Sequence, residues 1–312
     1  MAIQTLNANF LLQKQNLEVY LMQRMEPKLY FLNTLPTANT DTGEFATVLK
    51  DTTAAEDIAG GVMGETLDTA ELSELTEIQI SPLNAVLGRT SAMGYSFKYS
   101  QKFLNKSDSS ARVLLALSKI AAGMAKKINT TILSSIIAGA SAAFPNSLSA
   151  WSTAIDPRID ARKMRTSMAV GTNANVDLPF ELDTAFVDQT RFDALSDYYT
   201  SLDLPFDSTG INVDGTKFVN VKNAFTGLSQ NFVGMDSSIP CGIVETYVDP
   251  DFSTIQSSIL QNPQSEVNLP PAMINVSQYR EEKAPHNNVF EIWAELGYSN
   301  QEPLGAMTGN LN

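Results

Sequence analysis

Between residues 108 and 138 apolar positions recur on one helical face: Val113, Leu117, Ile120, Met124, Ile128 and Ile132, at spacings of 4, 3, 4, 4 and 4. The spacing predicts a helix over 108–138, with Asp108 or Ser109 able to cap its start and Gly139 able to end it. At 1.5 Å per residue it would run roughly 45 Å, where a helix of a globular domain averages about a dozen residues. Upstream, residues 7–32 read as an amphipathic helix broken at Pro27, with Phe10, Leu11, Leu17, Leu21, Met25 and Tyr30 as its apolar positions. Residues 33–64 are rich in Thr, Asp and Gly and predict an extended arm or loop. The stretch SAMGYSFKYSQKFL, 91–104, alternates Tyr95, Phe97 and Tyr99 as a strand does. A shorter helix is predicted from Asp156-Pro157, with Pro at a first-turn position.

The chain changes character from 177 to 260. Acidic and aromatic segments, a turn at Asp214-Gly215 and the strand-like GTKFVNVKNAF predict an α+β subdomain. Strands return in AMINVSQYREEK and NVFEIWAELGYSN, with a turn around Pro285-His286-Asn287-Asn288 between them. In the second strand Val289, Glu291 and Trp293 alternate with Phe290 and Ile292. No internal repeat is present.

One stretch fits neither period. GETLDTAELSELTEIQI, residues 64–80, places an acid at every third position: Glu65, Asp68, Glu71, Glu74 and Glu77. The charge of the chain is −13 and unevenly spread. Residues 1–85 carry −8, 86–131 carry +7, 132–165 carry +2 and 166–312 carry −14. In the basic block Arg112, Lys119 and Lys126 stand seven apart and form a second, nearly straight stripe on the long helix. Its complement is the acidic stretch before it. A chain this acidic should not coat nucleic acid non-specifically, and the block lacks the aromatic interleaving of a base-stacking surface.

Composition excludes several classes. No apolar run reaches the length of a membrane-spanning helix, and the first residues lack a basic region followed by an apolar run, so intracellular synthesis is expected. A single cysteine, Cys241, rules out an internal disulfide framework and reads as a buried, inert thiol. The single histidine, His286, sits in a polar turn and reads as a loop residue, which leaves no histidine-based metal cluster or triad. No nucleophile-elbow, zinc-protease, dinucleotide or phosphate-loop motif occurs. Asp203, Asp207 and Asp214 could ligate calcium, but their spacing matches no EF-hand, and solvated loop acids are the simpler reading. Asp249 and Asp251 read as helix caps for DFSTIQSSIL. No catalytic, cofactor-binding or metal site is expected.

The order of parts resembles the major capsid proteins of tailed bacteriophages and related viruses, with the Hong Kong 97-like fold. The resemblance is carried by GGVMGETLDTAELSELTEIQI, by SFKYSQKFLNKSD leading into ARVLLALSKIAAGMAKKINTTILSSIIAG, by WSTAIDPRIDARKM, and by the tail NVFEIWAELGYSNQEPLGAMTG. It implies an α+β chain with an N-terminal arm (1–54) and an extended loop, a β-hairpin (55–82). It further implies a peripheral domain (83–170 and 265–312, with the spine helix 108–138) and an axial domain (171–264). The implied function is a non-enzymatic subunit that self-assembles into hexamers and pentamers of an icosahedral virion shell around double-stranded DNA. No cofactor and no membrane are involved. The first 50 residues are too short for the cleaved scaffolding region of some relatives, so a separate scaffolding protein or an already trimmed chain is implied, with a portal and decoration proteins as further partners. The Lys–Asn crosslink of some relatives has no matching motif here. In this fold the extended loop crosses a neighbour, so Glu65, Asp68, Glu71, Glu74 and Glu77 would meet Arg112, Lys119 and Lys126 of another subunit. The alternatives are an encapsulin-like nanocompartment shell and a metal-dependent hydrolase built on the Asp-rich segments.

Overall fold

The computed structural model describes residues 14–32, 34–40, 42–48, 85–104, 109–145, 148–149, 151, 156–170, 180–207, 210–239, 241–247, 274–280 and 287–311. The chain divides into two compact units. The first takes residues 1–45, 88–132 and 244–298; the second takes 46–87, 133–243 and 299–312.

In the first unit, α1 (Lys14–Met25) buries Leu17, Leu21 and Met25, one residue per turn along one face. Pro27 does not break it abruptly; a 3-10 turn over Glu26–Lys28 takes Pro at its start, where no backbone N–H is needed. Leu29, Phe31, Leu32 and Leu35 follow and are also buried. Within the expected arm, 1–54, residues 17–35 thus carry several buried apolar side chains. Phe10 and Leu11 lie outside the described residues.

The long helix is α2, Ser109–Gly139, within a residue of the predicted bounds; Asp108 is outside the described residues. Val113, Leu117, Met124, Ile128 and Ile132 are buried as expected. Ile120 is not: it is half-buried, and Ala121 takes the central position. From Leu117 a full turn of 3.6 residues falls between 120 and 121, so the period allows either residue and the packing opposite α2 selects the alanine. α1 is tied to α2 by Tyr20 Oη and Ser118 Oγ at 3.2 Å and by Asn129 Nδ2, which donates to the Lys28 carbonyl.

The unit's sheet runs β1-β9-β11-β10, with β4 paired to β11 as well. β1 is Thr37–Thr40, β4 Ser91–Ser100, β9 Gly242–Tyr247, β10 Asn275–Arg280 and β11 Asn287–Asn300. Part of the expected extended arm is therefore sheet: β1 pairs in parallel with β9, Thr37 opposite Val244. β4 ends at Ser100, and 101–104 make one helical turn rather than more strand. Of its alternating aromatics only Tyr99 is buried, stacked on Phe290 at 5.7 Å between ring centres; Phe97 is half-buried and Tyr95 exposed. Asn287 and Asn288, expected in a turn, already pair with Ser100 and Tyr99. β11 keeps the predicted alternation only in part. Val289, Phe290 and Ile292 are all buried, Glu291 is exposed and Trp293 half-buried. A second small sheet joins β2 (Glu44–Val48) to β3 (Ala85–Arg89); residues 49–84 between them lie outside the described residues.

The second unit is built on a five-stranded sheet of order β12-β8-β5-β7-β6. These are β5 Thr184–Val187, β6 Gly210–Val213, β7 Thr216–Asn220, β8 Phe232–Met235 and β12 Ala306–Gly309. β5 and β7 are parallel and are connected through α4 (Gln189–Ser201), whose start is capped by the Asp188 carboxylate accepting the Arg191 N–H at 2.9 Å. β6 and β7 form the predicted hairpin at Asp214-Gly215, where both residues have positive φ, 49° and 91°. Two successive positive φ values match the twist of a two-residue hairpin, and Asp-Gly accepts them at least strain. β7 stops at Asn220, short of the expected run. The Asn220 side chain accepts the Lys222 N–H at 2.8 Å and turns the chain into a 3-10 segment, Lys222–Phe225. α3, Pro157–Val170, contributes Ala161, Met164 and Met168 to the same core as Phe192, Leu195 and Phe218.

β12 lies within the segment assigned to the peripheral domain, yet it pairs with β8 of the segment assigned to the axial domain, Ala306 opposite Met235. Met307 and Leu311 join the second unit's core. Cys241 is fully buried, as read.

Candidate subunit interface

The geometry of α2 makes a charged stripe. Seven residues advance a helix by about 10.5 Å and return it to within about 20° of the same direction. Arg112, Lys119 and Lys126 therefore rise along one edge of the helix, and all three are exposed while Val113, Leu117, Ala121 and Met124 on the opposite face are buried. Lys127 adds a fourth exposed cation. The acidic partners Glu65, Asp68, Glu71, Glu74 and Glu77 lie outside the described residues. Of the expected contact, the described residues include Arg112, Lys119 and Lys126 alone.

At the β2–β3 stem, Arg89 pairs with Glu44 at 3.0 Å, with both side chains largely exposed. Such a pair contributes at most about 1 kcal/mol. Beside it Leu87 is 82% exposed. Leu115 on α2 and Ile159 on α3 are more than half exposed. Scattered exposed apolar residues are ordinary and carry no reading by themselves.

The second unit holds a polar knot that sequence reasoning missed. Asp160 is fully buried in the first turn of α3. Its Oδ2 accepts the Ser149 N–H at 3.0 Å and the Trp151 Nε1–H at 3.2 Å, and its Oδ1 takes the Lys163 ammonium at 3.3 Å. A carboxylate at this end of a helix is also favoured by the exposed N–H groups there. The signal available in the sequence was the DPRID run after Trp151, where two acids crowd one helix start. The other acid, Asp156, accepts from Arg158 through both oxygens, Nη2–H to Oδ2 at 2.7 Å and Nε–H to Oδ1 at 2.9 Å. The guanidinium hydrogen bond holds Asp156 below the usual carboxylate range and raises Arg158 above its own.

In the first unit, burial pushes the Glu245 carboxyl on β9 upward, and Tyr30 likewise. In the second, burial raises Tyr199, whose hydroxyl donates to the Asn212 carbonyl at 2.9 Å.

The Asp-rich segment does not gather. Asp207 bridges to Gly210 at the start of β6, whereas Asp214 sits beyond its far end and binds Arg162 at 2.7 Å. Among the described residues no group of three or more His, Cys, Asp or Glu side chains could hold a metal ion. His286, Asp249 and Asp251 lie outside the described residues. Among those described, no helix is long and apolar enough to cross a membrane.

No protein-family model and no curated protein matches the sequence. Solved structures do match the fold. A virus-like particle from Pyrococcus furiosus aligns with a TM-score of 0.56 at 10% identity, covering 93% of this chain and 96% of that one. An encapsulin complex from Synechococcus elongatus gives 0.52 at 10%, covering 89% and 85%. The capsid of a native GTA particle gives 0.52 at 11%, covering 90% and 88%. The chain thus has the fold of shell-forming proteins.

Proposed function

We propose that this chain is a structural shell subunit, the major capsid protein of a tailed bacteriophage or related virus. It self-assembles into the hexamers and pentamers of an icosahedral virion around double-stranded DNA, without enzymatic activity. The observation that carries the reading is the alignment of 93% of the chain with 96% of a particle subunit. Residues 55–82 act as the extended loop, and the acids from Glu65 to Glu77 lie against Arg112, Lys119 and Lys126 of a neighbour. The acidity of the chain suits a wall that must not grip its contents. A scaffolding protein and a portal complete assembly.

A nanocompartment holding cargo proteins is the second reading, favoured by the encapsulin complex matching at the same TM-score as the GTA capsid. Electron microscopy of the purified chain tests the shell itself: closed particles are expected, and a monomer at all concentrations refutes it. Particles isolated from the organism that encodes the chain separate the two readings. Nuclease-protected double-stranded DNA identifies a capsid; protein cargo without DNA identifies a compartment.

A further inference from the structure

The second unit carries a knob and a cleft at different ends of one hairpin. The knob is the run Leu202-Asp203-Leu204-Pro205-Phe206-Asp207, which follows α4. Every residue of it is exposed, and Leu202, Leu204 and Phe206 are 48%, 40% and 39% exposed. Its backbone is held in shape: Asp203 has φ 55°, the Leu204 N–H bonds the Tyr199 carbonyl at 3.0 Å, and Phe206 packs edge-on against Tyr199. Such a loop presents apolar side chains in a fixed arrangement, so little ordering entropy remains to be lost on contact.

The cleft lies along α3 and has a volume of about 380 Å³. Arg162, Arg165 and Thr166 form one wall, and Phe180, Glu181 and Leu182 form the other. Arg162 gives its Nε–H to the Asp214 carboxylate and Arg165 gives an Nη1–H to the Asp214 carbonyl at 2.6 Å. Asp214 thereby fixes both guanidinium groups at the cleft. Each guanidinium carries five N–H donors, so both retain donors for an incoming carboxylate. A site lined by Phe180, Leu182 and two oriented cations fits an occupant that alternates apolar and acidic residues, and the 202–207 knob is such a segment.

We propose that the 202–207 knob of one copy docks in the Arg162–Arg165 cleft of the next copy. For its partner, a second copy of this chain, the proposal rests on the shell reading. The knob precedes β6 and the cleft's anchor, Asp214, follows it, so the two surfaces are distinct patches on one unit. A contact between distinct patches is head-to-tail, and it propagates around a ring when the rotation closes. Asp203 and Asp207 then face Arg162 and Arg165, while Glu181 disfavours any occupant richer in acid.

The test is a disulfide across the contact. Leu204→Cys and Thr166→Cys in one chain are expected to give, under mild oxidation, a ladder of covalent oligomers on a denaturing gel. Neither single variant gives it, because Cys241 is buried. Asp203→Asn, which tolerates the positive φ, should slow the ladder by roughly two- to five-fold, the factor an exposed charge pair supplies. No ladder from the double variant overturns the contact and assigns the cleft another occupant. Wild-type particle formation reports on the shell reading separately. Particles without a ladder remove the contact and keep the shell; a ladder without closed particles keeps the contact and removes the shell; neither removes both.

Discussion

Asp160→Ala removes the acceptor that holds the 148–151 connection to the start of α3. The Trp151 Nε1–H and the Ser149 N–H lose their partner, and Lys163 loses its counter-charge. A buried donor left without an acceptor costs about 1–3 kcal/mol. The indole N–H is buried and the Ser149 N–H only partly so, and the Lys163 ion pair, partly open to solvent on the lysine side and long at 3.3 Å, adds little. The sum is about 3 kcal/mol. For a unit of this size about 2–4 °C of melting temperature goes with each kcal/mol, so a loss of roughly 6–12 °C is expected. Asp160→Asn keeps one oxygen and the side-chain volume, and about a third of that loss is expected. The chain has two tryptophans, so a Trp293→Phe background leaves Trp151 as the only indole reporter. Its emission is expected to be blue in the parent, where Trp151 is 8% exposed, and to shift red in the alanine variant below the main transition. An alanine variant that melts within about 2 °C of its parent, with unchanged Trp151 emission, would refute the assignment of Asp160 as the clamp.

Three further expectations follow from the two units. Ile128→Asp places a carboxylate at a fully buried position of α2 and should cost several kcal/mol, read as insoluble or unfolded protein; normal assembly would disprove the face assignment. Reversing Glu71 and Glu74 to Lys should lower particle yield by sedimentation, with partial rescue by Lys119→Glu with Lys126→Glu and by 1 M salt, where the screening length is about 3 Å. Purely additive defects in the combination would show that the two stripes do not meet. Burial raises the folded-state pKa of Glu245, so the folded chain binds the extra proton and stability falls as pH rises through that value. Glu245→Gln should therefore melt higher than the parent at neutral pH, with the gap closing near pH 4; a constant gap across pH would exclude the carboxyl as its source.

Local chemistry made much of the chain readable in advance. A 3.6-residue period needs no partner to be seen, so α2 and α3 stand within a residue or two of their predicted bounds. Asp-Gly specifies its own hairpin through φ, and Asp214-Gly215 turns where expected. Long-range packing decided the rest. Whether Ile120 or Ala121 faces the core depends on what lies opposite α2, not on the period. The burial of Leu17, Leu21 and Met25 depends on the surface that α2 and the sheet offer to that face. β12 left the strands nearest it in sequence because β8 had an open edge. The 202–207 run and the α3 cleft each look like ordinary surface in the sequence. Only the hairpin between them places an apolar, acidic knob and two oriented arginines on one unit, since pairing of strands distant in the chain is a property of the whole fold.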